Sequence, residues 1–407
     1  MASIALILIR PKDLAEAWWA AIGAGLLVLC RLISPSAALH AVHKGVNVYL
    51  FLVGMMVIAE LARQEGVFDW IAGHAVRASK GSGGRLFGLI YGVGIAVTVF
   101  LSNDATAVVL TPAVLAAVKA AEAEPLPYLL ICAFIANAAS FVLPISNPAN
   151  LVVYSQGVPP LGRWIATFGL PSLVSIAVTF LVLRRLANKH LTTAVKAGVD
   201  SRALSSGGKL TFYGIGFLAA VLMTASARNF DLGAPACAAG LLVALCVSVR
   251  NPKTAKELVS QIPWSVIPLV AGLFVIVEGM NVAGAQHAAI AALQEMETWQ
   301  PLRAAWASGF GIAILANLMN NLPIGLIGGA AVNAAGASGP LRDAVLIGVD
   351  LGPNLSVTGS LATILWLMAI RREGQEIGFW KFLKWGALVM PPALALAIAA
   401  LLVGQQR

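Results

Sequence analysis

Long apolar runs alternate with short polar breaks along the whole chain, and each long run approaches the length of a membrane-crossing helix. About 20 apolar residues in a row are needed to cross the hydrocarbon core of a bilayer. The runs predict helices at 18–33, 46–62, 86–101, 105–119, 128–144, 148–155, 164–186, 210–227, 235–249, 264–280, 304–318, 322–335, 344–355, 360–370 and 382–403. Two shorter runs, at 68–77 and 286–296, predict helices along the membrane interface. The pattern indicates an all-α polytopic membrane protein.

Two segments of the sequence recur at nearly the same spacing. Residues 52–60 (LVGMMVIAE) return 218 positions later as residues 270–278 (VAGLFVIVE). Residues 101–106 (LSNDAT) are echoed 217 positions later by residues 318–323 (LMNNLP). Polar breaks at matching places in two halves are typical of a secondary transporter built from structural repeats, whose substrate site lies at the interrupted helices.

The repeat predicts how the chain is divided. We expect a first transmembrane repeat over 1–186, in which only a short apolar run at 2–9 stands for the N-terminal helix. A polar linker follows at 187–209, and a second repeat covers 210–407. If the linker is cytoplasmic, most of the 27 Lys and Arg residues fall in cytoplasmic loops, as the positive-inside rule requires.

The paired apolar arms at 86–119 and 304–335 have two interpretations. They are either re-entrant helical hairpins or full crossings, and the charge distribution fits both. Their polar tips favour hairpins, because irregular polar backbone at membrane depth needs a wet or protein-lined place. The two halves would then be inverted repeats, each with a re-entrant hairpin and a discontinuous transmembrane helix.

Four polar clusters interrupt the apolar runs: a first tip (102–106), a first break (136–150), a second tip (320–323) and a second break (350–363). Proline and glycine in the breaks end regular helix and free backbone N–H and C=O groups as ligands. Serine, threonine and asparagine side chains complete such a site. The candidate substrate-binding residues are Ser102, Asn103, Thr106, Asn137, Ser146, Asn147, Asn150, Asn320, Asn321, Thr358, Gly359 and Ser360.

These clusters resemble the ion-transporter superfamily, and within it the bacterial arsenite/antimonite efflux permeases of the ArsB family. The resemblance is carried by FLSNDATAVVLTP at 100–112, NAAS at 137–140, ISN at 145–147, NNLP at 320–323 and GVDLGPNLSVTGSLATILW at 348–366. It implies export of trivalent arsenic and antimony, as the neutral hydroxides of arsenite and antimonite, across the bacterial inner membrane. It further implies coupling to inward-moving protons and, in some organisms, a soluble ATPase partner.

Proton coupling requires a carboxyl group within the membrane, and such a group is a functional candidate because its charged form is costly to bury. Asp104 and Asp350 lie in the polar clusters and are the proton-coupling candidates. Glu60 and Glu278 end the repeated apolar run and are interpreted as structural, for example as an anchor or an ion pair with Arg63. A neutral trihydroxide suits amide and hydroxyl partners, which donate and accept hydrogen bonds.

Composition excludes several classes of function. The chain is 59% hydrophobic and only 11% charged, whereas soluble domains average about 25% charged residues. The net charge of +9 resides in short loops, which indicates contact with a bilayer and no nucleic-acid partner. The four cysteines stand singly, so neither a metal site nor a tight thiolate pocket for arsenic is predicted. No phosphate-binding loop, catalytic triad or cofactor motif is present, so no enzyme is expected.

Two alternatives of other kinds remain at this point. One is a sodium- or proton-coupled carrier of carboxylates or inorganic anions with the same fold. The other is a membrane structural or receptor component without transport activity. A scaffold has no need of two broken helices, and an anion carrier favours a cationic side chain at the site, which none of the four clusters contains.

Overall fold

Helices dominate the secondary structure, as the apolar pattern predicts. The computed structural model describes residues 16–154, 157–192, 194–196, 203–250 and 252–405. The helices of the first half are α1 Glu16–Leu29, α2 Pro35–Lys44, α3 Val46–Gln64, α4 Val67–Ala78, α5 Gly83–Phe100, α6 Asn103–Ala105, α7 Thr111–Ala120, α8 Pro125–Ala138, α9 Pro148–Val153 and α10 Leu161–Ala187. Those of the second half are α11 Ser206–Ala227, α12 Gly233–Arg250, α13 Pro252–Gln261, α14 Val266–Val282, α15 Ala285–Glu297, α16 Pro301–Met319, α17 Asn321–Ala335, α18 Gly339–Leu351, α19 Leu361–Arg372 and α20 Phe379–Gln405.

The described helices include seven stretches that are long and apolar enough to cross a membrane. They are Val46–Gln64, Gly83–Phe100, Leu161–His190, Ser206–Ala227, Lys256–Val282, Pro301–Met319 and Phe379–Gln405. The protein is thus an all-α polytopic membrane protein, as predicted. The apolar run at 2–9 and linker positions 193 and 197–202 lie outside the described residues, and the division at 187–209 stays a prediction.

Each half contains a hairpin followed by an interrupted helix, in the same order. In the first half α5 and α7 are the arms of the hairpin, and the interrupted pair is α8 and α9. In the second half the arms are α16 and α17, and the interrupted pair is α18 and α19. The fold is all-helical, as predicted, and each half contains a hairpin and a discontinuous helix in the same order. That the halves are inverted and the hairpins re-entrant stays a prediction.

The first break is closed by an asparagine that replaces the missing helical hydrogen bonds. Pro144 begins a 3₁₀ turn that ends at Ser146, and Pro148 begins α9. Proline lacks an N–H, so upstream carbonyl groups lose their helical donor. Asn150 Nδ2 lies 2.9 Å from the carbonyl oxygen of Ser140, and 3.3 Å from those of Leu143 and Pro144. This buried amide satisfies the carbonyl groups that the break frees.

Two short helices were not predicted from the apolar runs. Helix α2 has proline at its first position, and Ser34 Oγ accepts a hydrogen bond from Ala37 N at 3.1 Å as its N-cap. Helix α13 carries mostly polar residues. Both segments are too short or too polar to register as membrane spans, and the capping signal at Ser34 was the available clue. The predicted pairing of Glu60 with Arg63 is confirmed, with Arg63 Nε donating to Glu60 Oε2 at 2.8 Å.

Small residues allow close helix packing in the second repeat. Gly348 on α18 faces α16, where a Cβ atom at position 348 would overlap the carbonyl oxygen of Gly309 and the side chain of Ile312. Close backbone approach through small residues is the usual means of packing membrane helices. This contact fixes α18, which carries the second break, against the hairpin arm α16.

We expect Gly348→Leu to destabilise the protein by at least about 1–3 kcal/mol, because overpacking of a tight contact forces the helices apart. Gly311→Leu on α16 is the matched control, because no heavy atom lies within 4 Å of a Cβ atom built there. Thermal unfolding of the purified protein in detergent would measure both variants. Equal unfolding temperatures for the two variants would contradict the tight contact.

Candidate functional site

The polar clusters meet at one small cavity. Its polar lining comes from the first tip (Asn103 and Asp104), the first break (Asn147) and the second tip (Asn321). Its apolar lining includes Leu52 on α3, Val266 and Val270 on α14, and the N-terminal residues of α19. The structure therefore brings three amides and one carboxylate from three separate elements to the same space.

The first tip turns its own hydroxyl groups inward and leaves its carboxylate open. Ser102 Oγ accepts from Ala105 N at 3.1 Å as the N-cap of α6, and Thr98 Oγ1 lies 2.8 Å from Thr106 Oγ1. Asn103 Oδ1 accepts from Asp104 N at 2.9 Å. The described part of the chain provides no hydrogen-bond partner for the Asp104 carboxylate, which borders the cavity. Asp104 is thus available to a solute or a proton.

A π-helical segment, Thr106–Leu110, joins the first tip to α7. Thr111 Oγ1 donates to the carbonyl oxygen of Thr106 at 3.0 Å. π-helical segments are uncommon and are often found at functional sites, because they redirect side chains by inserting one residue into the helix.

The two broken helices contact each other through buried polar side chains. Asn137 Nδ2 donates to Asn354 Oδ1 at 3.0 Å and to Thr363 Oγ1 at 3.2 Å, both in the opposite repeat. Asn147 Nδ2, also of the first repeat, donates to Asp350 Oδ1 of the second at 2.8 Å. Asn137 and Asp350 are 213 positions apart, as the repeat predicts, and both are fully buried. These contacts join the halves at the level of the breaks.

The second tip is bound to the second break. Asn321 N donates to the carbonyl oxygen of Gly359 at 2.9 Å, and Asn320 Nδ2 lies 3.4 Å from the carbonyl oxygen of Thr358. Asn320 also caps α17, since its Oδ1 accepts from Leu322 N at 3.4 Å. Its backbone has φ 74° and ψ 151°, a conformation that costs about 1–3 kcal/mol for a residue with a side chain. The tip therefore holds a strained residue in place.

We expect Asn320→Gly to be more stable than Asn320→Ala, by roughly 1–3 kcal/mol. Both variants lose the side-chain cap, but glycine adopts the positive φ without strain and alanine does not. Thermal unfolding of the two purified variants gives the comparison directly. An alanine variant as stable as the glycine variant would show that the backbone at position 320 is not strained.

The predicted site residues divide into two groups. Asn103, Asp104, Asn147 and Asn321 line the cavity. The others hold the tips and breaks around it: Ser146 Oγ donates to the carbonyl oxygen of Val99 at 3.1 Å, and Ser360 Oγ accepts from Thr363 N at 3.2 Å as the N-cap of α19. A role in substrate binding stays a prediction for every member of the set: Ser102, Asn103, Thr106, Asn137, Ser146, Asn147, Asn150, Asn320, Asn321, Thr358, Gly359 and Ser360.

Several residues at the site were missed from the sequence. Leu52 and Val270 begin the two copies of the repeat that end in Glu60 and Glu278, and both line the cavity. Their repetition in the two halves was the available signal. Asn317, which bonds to the second break, carried only the weak signal of a single amide in an apolar run. Asn354, which accepts from Asn137, lay within the predicted second break but was not among the candidate site residues.

A second small cavity shares lining residues with the first. Leu322 and Leu361 line both cavities, and the remaining lining of the second is almost entirely apolar, with Leu269 and Leu273 of α14 on one side. The polar cavity is therefore bounded by two leucines where it adjoins the second one.

Two halves whose interrupted helices meet at a small polar cavity, with seven described helices of membrane-crossing length, define a multi-pass membrane transporter. The sequence model of the arsenical pump membrane protein (ArsB) family matches residues 1–404, and the chain belongs to that family. It is 28% identical to the arsenical pump membrane protein of Escherichia coli (strain K12), over 98% of this chain and 96% of the relative. The same name and identity apply to a relative from Yersinia enterocolitica, again over 98% and 96%.

A more distant relative and a solved structure complete the comparison. The putative arsenical pump membrane protein of Bacillus subtilis (strain 168) is 23% identical over 96% of this chain and 95% of its own. The crystal structure of the YdaH transporter of Alcanivorax borkumensis superposes with a TM-score of 0.56 at 16% identity, covering 89% of this chain and 86% of that one. That likeness concerns the fold alone. The protein is a multi-pass component of the bacterial inner membrane.

Proposed function

We propose that this transporter exports trivalent arsenic and antimony, as the neutral hydroxides of arsenite and antimonite, in exchange for protons. The observation that carries the proposal is the cavity lined by Asn103, Asn147, Asn321 and the open carboxylate of Asp104. The names of the relatives, which are arsenical pumps, support the same class of substrate.

The cavity chemistry suits a small neutral trihydroxide. Each asparagine side chain offers two donor hydrogens and an acceptor oxygen, which match hydroxyl groups that both donate and accept. Within the described chain, no cysteine borders the cavity, and Cys132 is buried within α8. Because trivalent arsenic binds several thiolates tightly, a cavity without thiols favours reversible binding, which a transporter needs in order to release its substrate.

Asp104 is the proposed exchange point for the proton, with Asp350 as a second coupling group. A proton that moves inward across 100 mV releases about 2.3 kcal/mol. That free energy sustains a substrate gradient of roughly 50-fold, because each 1.4 kcal/mol corresponds to a factor of ten. Export of one neutral solute against one proton therefore needs no ATP, and we expect transport in membranes stripped of any soluble ATPase.

One observation favours the alternative of a sodium- or proton-coupled carrier of carboxylates or inorganic anions. The N-terminal residues of α17 and α19 line the cavity, and helix N-termini attract anions. Against this, the Asp104 carboxylate borders the same space, and no lysine or arginine of the described chain lines it. The Asp104 carboxylate would repel an anionic substrate, and no cationic side chain would pair with that substrate.

Everted membrane vesicles that contain the protein test the proposal. We expect arsenite to accumulate inside energised vesicles. The accumulation should disappear when the pH gradient and the membrane potential are collapsed, and it should not depend on sodium. Vesicles from cells without the protein are the control. Accumulation that follows a sodium gradient, or that occurs with a dicarboxylate and not with arsenite, would favour the anion carrier.

A further inference from the structure

We propose that Asn317 is a positioning residue that fixes the second hairpin and the second break as a single wall of the substrate cavity. The proposal rests on the proposed function in so far as the cavity is a transport site. Asn317 lies on α16, outside the second tip, and does not itself line the cavity. Its effect on transport would be exerted through the residues that it holds.

The Asn317 side chain bonds both elements with donor and acceptor groups. Its Nδ2 donates to the carbonyl oxygen of Ala313 in its own helix at 2.8 Å, and to that of Gly352 at the end of α18 at 2.9 Å. Its Oδ1 accepts from Ser356 N at 3.0 Å and from Ser356 Oγ at 2.7 Å. The half-buried Asn317 amide thus forms hydrogen bonds with backbone groups on both sides of the 3₁₀ turn, where the break in the helix leaves them without helical partners.

The backbone of Asn317 extends the same connection toward the cavity. Its carbonyl oxygen accepts from Thr358 Oγ1 at 3.0 Å. The next residue, Gly359, has no room for a side chain, since a Cβ atom there would lie 2.6 Å from Asn317 Oδ1. The carbonyl oxygen of Gly359 then accepts from Asn321 N, and Asn321 lines the cavity. A continuous set of short contacts therefore links Asn317 to a cavity amide.

Within the described residues of the first repeat, the position equivalent to Asn317 carries no hydrogen-bonding side chain. The position 217 residues earlier is Phe100, which cannot hydrogen-bond through its side chain and is 42% exposed. Within the described residues, the hydrogen bonds of positions 102–105 stay inside the first hairpin. Ser146 Oγ, which donates to the Val99 carbonyl oxygen, links this hairpin to the first break. The second hairpin is thus tied to its break through a side chain that has no counterpart at position 100 of the first hairpin.

A reversible disulfide separates a positioning role from a merely structural one. The side chains of Ser356 and Asn317 are in contact, with Ser356 Oγ 2.7 Å from Asn317 Oδ1, so cysteines at the two positions are neighbours, and loss of free thiols on oxidation shows that the disulfide has formed. The background is a variant in which Cys30, Cys132, Cys237 and Cys246 are replaced by alanine. In it we compare Asn317→Ala, the double variant Asn317→Cys/Ser356→Cys reduced and oxidised, and the unmodified chain, in everted vesicles and by thermal unfolding.

We expect Asn317→Ala and the reduced double variant to raise the KM for arsenite about ten-fold, equivalent to ~1.4 kcal/mol, with a smaller change in kcat. Oxidation should restore the KM, and dithiothreitol should raise it again. An oxidised variant that stops transporting would overturn the proposal, because the two elements would then have to separate during transport. An unchanged KM in Asn317→Ala would overturn it as well.

Failure of the proposed function gives a different result. If the unmodified chain moves no arsenite, the substrate assignment is wrong, while unfolding still tests the contacts of Asn317. If the Asn317 side chain joins the second hairpin to the second break, Asn317→Ala should unfold at a lower temperature than the unmodified chain. The oxidised double variant should unfold at a higher temperature than its reduced form. Equal unfolding temperatures across these proteins would then overturn the proposal independently of any substrate.

Discussion

Asp104→Asn is expected to reduce proton-driven arsenite accumulation in everted vesicles to the level of vesicles that lack the protein. Asp104 is the carboxylate on the cavity wall, at the tip of the first hairpin. Asparagine has nearly the same shape, but it cannot exchange a proton. Because no hydrogen bond from the described residues to the carboxylate is lost, the variant should fold and reach the membrane in normal amounts.

The control for this variant is Asp231→Asn, which removes a carboxylate at an exposed position between α11 and α12. It should transport at the rate of the unmodified chain. Amounts of folded protein are compared by fluorescence-detected gel filtration, so that loss of transport is not confused with loss of protein. Full accumulation by Asp104→Asn would transfer the coupling role to Asp350 or to another group.

The positions of the tips and breaks could be predicted because polar residues are rare within the apolar runs of a membrane protein. Polar and helix-breaking residues inside apolar runs must find partners within the protein. Their recurrence at offsets of 213 and 217 marked the same elements in both halves. The contact of Asn137 with the opposite repeat shows that the equivalent breaks do meet. This level of the fold follows from hydropathy and spacing alone.

The role of each polar residue could not be predicted in the same way, because it depends on the direction of a side chain at an irregular turn. Asn147 and Asn150 are separated by three positions in the same break. Asn147 lines the cavity, whereas Asn150 Nδ2 turns back to the carbonyl groups of the break. Asparagine serves equally well as ligand or as backbone partner, so residue type does not distinguish the two.

The apolar part of the site was concealed for a related reason. The most conspicuous residues of the repeated run are its carboxylates, and Glu60 forms the predicted ion pair with Arg63. The cavity is instead bordered by the first residue of each copy, Leu52 and Val270. An apolar residue in a membrane helix can face lipid, a neighbouring helix or a cavity, and its hydropathy is the same in all three cases. Only the packing of α3 and α14 around the tips distinguishes these cases.

Asp350 offers a second large effect, because its charge and its hydrogen bond can be removed separately. Its Oδ1 accepts from Asn147 Nδ2 at 2.8 Å between the two repeats, and both side chains are buried. In Asp350→Leu the Asn147 amide loses its acceptor, and an unsatisfied buried donor costs about 1–3 kcal/mol. Asp350→Asn retains an acceptor oxygen and should unfold near the temperature of the unmodified chain. Both variants should lose proton-driven transport.

Asp343→Asn is a matched control, because Asp343 is another buried carboxylate on the same helix, α18. It is held by Arg342 Nε at 3.2 Å, Tyr154 Oη at 3.1 Å and Gln405 Nε2 at 2.8 Å, and it does not border the cavity. Its replacement should lower the unfolding temperature, because Arg342 loses its ionic partner, while transport per folded molecule is maintained. Asp350→Asn should give the opposite pair of results. If Asp350→Asn instead transports at the normal rate, the carboxylate between the repeats is a structural acceptor, and Asp104 alone is left to carry the proton.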